Sequence, residues 1–312
     1  MKAHADPIPG CWILLILLAG GTLSAQEGEP VDVTETTLRR PKALAALERK
    51  GKVIFEDGFE SRASLKKWFE ITGLDDGRTA LVRDARLAHG GRGCLRFIAP
   101  DRGGKPAGAG ARVWLGKRGY ERIHFRRYIR FAADYDQGNL HHTGGGVAGV
   151  ATNGKWDGMG KAGIKPRGDD RFSSGFEPWR AWGRYPSPGA MMLYTYWMEM
   201  KGGPAGKSWG NLLAPKERRR IVPPRDRWVC LEQMIAVNTV GRRDGEMAAW
   251  IDGRLYLHMK GIRWRKVPEL LVKRAGIGIY VHQSRKANTV WYDDVVISTG
   301  YVRPTQEKRR KL

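Results

Sequence analysis

Cysteine is nearly absent from this 312-residue chain, which has only 3. Cys11 precedes the N-terminal apolar run, leaving Cys94 and Cys230 in strand-like segments. That count excludes a disulfide framework, and no metal-ligand spacing involves either residue. One disulfide between them and two buried free thiols both remain open. Long apolar runs are also lacking: the stretch from Cys11 to Ala19 falls short of the roughly 20 residues a membrane helix needs. Acidic residues are scarce, 32 Asp and Glu against 55 Lys and Arg, giving a net charge of +23 that calls for a polyanionic partner. There is no internal repeat and no helix-turn-helix, zinc-finger or aromatic ribonucleoprotein motif, so nucleic acid is not the expected polyanion. Long amphipathic helices are nearly absent as well.

What is present begins with a polar start, the apolar run, and small residues ending Thr22-Leu23-Ser24-Ala25, the pattern of a secretory signal peptide over residues 1–25. A secreted or periplasmic protein follows, with no stable membrane insertion after cleavage. Residues 26–51 read as a polar linker, mildly helical over Pro41 to Lys50, residues 52–302 as one domain, and residues 303–312 as a basic tail. Within the domain, strand-like runs cover Val53 to Asp57, Cys94 to Ile98, Ile123 to Phe131, Ala190 to Met200, Trp228 to Asn238, Ala275 to Val281 and Thr289 to Ser298. In Ile123 to Phe131 the apolar Phe125, Ile129 and Phe131 alternate with His124, Arg126, Tyr128 and Arg130, which predicts a half-buried strand with a basic, aromatic outer face. Asp252-Gly253 between Glu246–Ile251 and Arg254–His258 predicts a tight hairpin. The economical fold is all-β, a jelly-roll sandwich of two antiparallel sheets.

Several segments, in this order, resemble the concanavalin-like jelly-roll domains of polysaccharide lyases, closest to the alginate and glucuronan lyases of families fourteen and twenty. They are Phe55 to Glu60, Gly144 to Val150, Met192 to Trp197, Trp228 to Asn238 followed by Asp244-Gly245, Trp250 to Gly253, and Tyr292 to Val295. The resemblance implies β-elimination on a uronate: removal of the C5 proton and expulsion of the sugar at O4. A Tyr-x-Tyr strand of the related enzymes matches Tyr194 and Tyr196, which alternation points to one face. Two positions depart from the family. Gly146 stands where it carries a lysine, and Phe176, two residues after Ser174, where it carries an arginine.

The expected catalytic residues are therefore His142, as base or carboxylate neutraliser in a glycine-rich loop, Tyr194, Tyr196, and Arg180, as the restored positive charge. Arg180 or Lys201 is expected to lower the Tyr196 pKa. His141, Lys165, Glu177, Trp182 and Lys201 are expected to bind substrate, Trp182 by stacking on a sugar and Lys165 from a basic loop. Each has a plainer reading: a buried Met-Tyr stripe, loop histidines bonded to backbone, core tryptophans, solvated cations. The resemblance also implies a structural calcium at Asp57 and Asp294 with Asp293, against strand-end carboxylates paired with arginine. No organic cofactor is expected, and the protein is expected to be a monomer. The Glu-x-Asp-x-x-Glu strand of glycoside hydrolases on this architecture is missing. The rival to a lyase is thus a non-catalytic carbohydrate-binding sandwich for anionic polysaccharide, or a basic envelope protein that binds surface polymer or peptidoglycan.

Overall fold

The structure, a computed structural model, describes residues 29–138, 141–203, 206–216 and 220–305. The expected signal peptide, 1–25, and residues 306–312 of the expected basic tail lie outside the described residues. In chain order the strands are β1 (Val31–Asp32), β2 (Val53–Asp57), β3 (Glu70–Ile71), β4 (Thr79–Arg83), β5 (Gly93–Ala99), β6 (Ala107–Trp114), β7 (Arg122–Phe131), β8 (His141–Thr143) and β9 (Gly146–Val150). There follow β10 (Arg171–Trp179), β11 (Ala190–Tyr196), β12 (Asn211–Leu213), β13 (Trp228–Ala236), β14 (Gly245–Ile251), β15 (Arg254–Ile262), β16 (Leu271–Val281) and β17 (Asn288–Ser298). Two short helices, α1 (Thr34–Leu38) and α2 (Pro41–Leu47), lie between β1 and β2.

The strands form two antiparallel sheets. One is nine-stranded, in the order β1-β15-β14-β13-β7-β17-β5-β4, with β2 also on β17. The other is eight-stranded, β12-β11-β10-β9-β16-β6-β3, with β8 also on β16. Between them the inward residues of alternating strands make the main core, including the fully buried Phe97, Phe125, Phe131, Phe172, Phe176 and Trp264. Burial of each such side chain stabilises the fold by about 1.5–3 kcal/mol. The expected hairpin is present: Asp252 (φ +48°) and Gly253 (φ +76°) join β14 to β15 with the left-handed pair that suits strand twist.

Three expectations change. The outer face of β7 is covered: His124, Arg126 and Tyr128 are buried, His124 against Glu232 at 3.1 Å and Tyr128 against Thr305 at 3.0 Å. The segment read as a linker is docked, because β1 pairs with β15, and Leu38, Leu44 and Leu47 pack on Met234, Ala248, Trp250 and Leu255 of the outer sheet face. Strand β11 ends at Tyr196, so Met198 and Met200 do not extend a single stripe. Cys94 and Cys230 are free buried thiols. Strands β5 and β13 are three places apart, roughly 14 Å, beyond the Cα reach of a disulfide. Burial foremost pushes both thiols up to about 12.

Candidate active site

Cross-strand register builds a site on the outer face of the eight-stranded sheet. Tyr194 lies opposite Gly175, Gly175 opposite Gly146, and Gly146 opposite Gly276, so three glycines on adjacent strands give a floor without side chains beside Tyr194. Two same-face positions along β16, Tyr280 faces His142 on β8. Next to it, Glu177 on β10 puts Oε1 2.7 Å from His142 Nδ1. The His142 ring centre is 5.0 Å from that of Tyr194 and 5.2 Å from that of His282.

A carboxylate only accepts, so His142 Nδ1 carries the proton of that bond and Nε2 is left toward the open face. Burial opposes the imidazolium, but attraction to Glu177 and its hydrogen bond outweigh this and raise the His142 pKa above its ordinary value. The His282 pKa is lowered, by burial and by the nearby His142. The hydroxyls of Tyr194 and Tyr196 lie 3.2 Å apart. The Gly210 N–H donates to Tyr194 at 3.0 Å and the Gly163 N–H to Tyr196 at 3.5 Å, from two loops joined by the bond from Ser208 N–H to the Gly163 carbonyl. Burial foremost, then Tyr196, raises the Tyr194 pKa, so this phenol keeps its proton at neutral pH.

The site is braced from behind. Arg127, fully buried and reaching from β7 across the core, donates Nε to the Gly144 carbonyl at 2.5 Å and Nη2 to the carbonyls of Gly145 and Phe176, both at 3.0 Å. Those carbonyls flank the backbone that carries His142 and Glu177. Burial brings Arg127 down to about 10, so it remains charged at neutral pH. Gly144 (φ +137°) and Gly145 (φ +85°) make the kink between β8 and β9, where a Cβ on Gly144 would stand 2.4 Å from the Phe176 carbonyl. Gly146, the position of the family lysine, is closed in the same way: a Cβ there would lie 2.4 Å from the Ser174 carbonyl oxygen.

His142, Glu177, Tyr194 and Tyr196 thus come together, with Glu177 as the partner of His142. Other expected site residues stand elsewhere. His141 points inward, buried against Thr143 (3.2 Å) and Gln137 (3.0 Å), and burial, then His142, drives its pKa down to about 3. Arg180 follows β10 at the end away from Tyr196 and pairs with Asp136 at 2.9 Å. Ser173, opposite Tyr196, is seven residues back, about 23 Å of strand. Lys201 pairs with Glu29 at 2.5 Å. Arg180 is thus remote from Tyr196, and Lys201 is engaged by a carboxylate. Lys165 is exposed on the loop before β10, and Trp182 is exposed beyond Arg180. Tyr280 and His282 were missed; their i, i+2 spacing at the end of a strand was the available signal.

The metal residues do not fit a calcium ion as placed. Asp57 accepts from Phe59 N–H and Trp68 Nε1–H, both at 2.9 Å, and Asp294 bonds His89 Nδ1 at 2.7 Å. Asp293 accepts three backbone N–H groups while burial and Asp294 raise its pKa to about 8. Among the described residues no group of three or more His, Cys, Asp or Glu is placed to hold a metal.

The sequence matches no protein-family model and no curated protein. Solved structures do share the fold. A PL-14 alginate lyase from Aplysia kurodai is 14% identical with a TM-score of 0.58, covering 79% of this chain and 99% of its own. An alginate lyase from Chlorella virus is 15% identical with a TM-score of 0.56, covering 79% and 99%. An endo-β-1,4-glucuronan lyase from the fungus Trichoderma reesei is 14% identical with a TM-score of 0.50, covering 79% and 95%. At these identities the likeness is one of fold, the jelly-roll sandwich of uronate-polysaccharide lyases.

Proposed function

We propose that this chain is an exported polysaccharide lyase that cleaves a uronate-containing polysaccharide by β-elimination. The observation that carries this reading is the His142–Glu177 pair, with Nδ1 committed to the carboxylate and the imidazole ring centre 5.0 Å from that of Tyr194, beside a glycine floor. Neutral His142 takes the C5 proton through Nε2, and Glu177 stabilises the resulting imidazolium. The electron pair left at C5 is delocalised into the uronate carboxylate and forms the C4–C5 double bond as the C4–O4 bond breaks. Tyr194, held protonated, delivers its proton to O4, and Tyr196, hydrogen-bonded to it, relays a replacement. The chain's net charge of +23 favours an acidic polymer, and the N-terminal apolar run favours export.

A second reading has one observation in its favour. Neither of the two positions expected to neutralise the uronate carboxylate does so, since Gly146 replaces the family lysine and Arg180 is paired with Asp136. A sandwich that binds anionic polysaccharide without cutting it would look the same. Ultraviolet absorbance of unsaturated uronates, followed during incubation with alginate, glucuronan and glycosaminoglycans, separates the two. A rise lost in both Tyr194→Phe and His142→Gln supports elimination at this site. Binding without a rise on any polymer refutes the lyase.

A further inference from the structure

We propose that the loops following β10 and β16 form a distal subsite that binds another anionic sugar residue of the same polymer, with the Trp182 ring as its platform and Arg285 as its cation. The polymer's identity rests on the function proposed above; the subsite itself rests on separate geometry. A cavity of about 430 Å³ is lined by Asp136, Gln137, Arg180, Trp182, Arg285 and Lys286, among others. Trp182 is 70% exposed, the most open large hydrophobic side chain among the described residues. Its backbone is left-handed (φ +59°), as are those of Ala181 (φ +48°) and Gly183 (φ +93°). Two successive non-glycine residues in that conformation cost free energy, and no core packing of the indole offsets it, a combination that points to a ligand.

The charges fit an anion. Three cations face one carboxylate in this lining. Arg180 is held by Asp136 at 2.9 Å and Lys286 by Asp134 at 2.7 Å, while the exposed Arg285 guanidinium makes no hydrogen bond or ion pair with the described residues. An indole face beside an unpaired guanidinium suits a sugar ring bearing a carboxylate. Val281, the last residue of β16, is also in the lining, so the cavity lies at the end of the strand that carries Tyr280. Along β10, Arg180 is five residues from Gly175, the residue opposite Tyr194, or about 17 Å. One sugar cannot reach both places, whereas an extended chain passes through them in turn.

The test uses the full chain carrying Tyr194→Phe, so that ligands survive, and calorimetric titration with oligoglucuronates and oligomannuronates of increasing length. Affinity is expected to step up once the oligomer reaches the cavity. Adding Arg285→Ala or Trp182→Ala should weaken the long oligomers about tenfold and leave the short ones unchanged. Equal losses for short and long oligomers, no loss, or no length dependence in the parent overturns the subsite. So does competition by polyphosphate as strong as that of the long oligomers together with a silent Trp182→Ala, which marks a purely electrostatic patch. Length-dependent binding with these losses in a wild-type protein that releases no unsaturated product upholds the subsite and defeats the lyase.

Discussion

Acidification tests the inward placement of His141. Its pKa is about 3 in the fold, mainly from burial, against about 6.5 in an unfolded chain. With a depressed native pKa, the unfolded chain binds a proton that the native state refuses. The contribution to stability is therefore fully present above about pH 6.5 and is lost progressively as the pH falls toward 3. At about pH 5 the loss amounts to ~2 kcal/mol from His141. His258, buried against Thr37 at 2.8 Å and lowered to about 4, mainly by burial, adds a similar amount. Together these are a large share of a typical domain stability of about 5–15 kcal/mol. Urea unfolding, followed by tryptophan fluorescence near pH 7.5 and near pH 5, measures the loss. In His141→Gln, which keeps a polar group for Thr143, the acid-induced loss should shrink by ~2 kcal/mol relative to wild type. An identical loss in both proteins would falsify the neutral, inward His141.

Glu177→Gln should lower the His142 pKa, read by NMR titration of the ring. The stability that the pair contributes, full below about pH 6.5 and lost as the pH rises through the raised value, should vanish in this variant. If the protein eliminates, the rate should drop about 10²–10⁴-fold, with the acid-side limb, where the rate rises as His142 loses its proton, moved to lower pH. Gly146→Lys, which reinstates the family residue, should destabilise by about 1–3 kcal/mol in urea and raise no activity, because its Cβ meets the Ser174 carbonyl; a faster enzyme of unchanged stability would refute that crowding. Cys94 and Cys230 should resist a thiol reagent under native conditions and label fully in denaturant. Native labelling at the rate of a free thiol would show that the sheets open there.

The strands were legible wherever alternation was clean. Val53 to Asp57 coincides with β2, and the ends of most other runs fall close to those observed. Tyr194 and Tyr196 were legible as a pair because period-two geometry is local. The bond between His142 and Glu177 was not, since the residues are 35 apart and meet only through the β8–β10 arrangement. Each was noticed, in separate roles. Arg127 falls on the apolar face of β7, where alternation predicts a hydrophobe, and its acceptors are backbone carbonyls that no side-chain pattern announces. The docked N-terminal segment escaped because its helices show the sequence only three leucines, Leu38, Leu44 and Leu47, too few to mark an amphipathic face.

Both sheets end in very short strands: β1 has 2 residues, β3 has 2 and β12 has 3, leaving the 5-residue β4 as the longest margin. A cationic protein that gathers on a polyanion meets its own copies at a local concentration far above that in bulk. Long, bare margins would then template strand addition from one molecule to the next. The end strands themselves offer few free N–H and C=O groups for such growth. If the chain gathers on an acidic polymer as proposed above, end strands this short disfavour strand addition between copies crowded along one polymer strand.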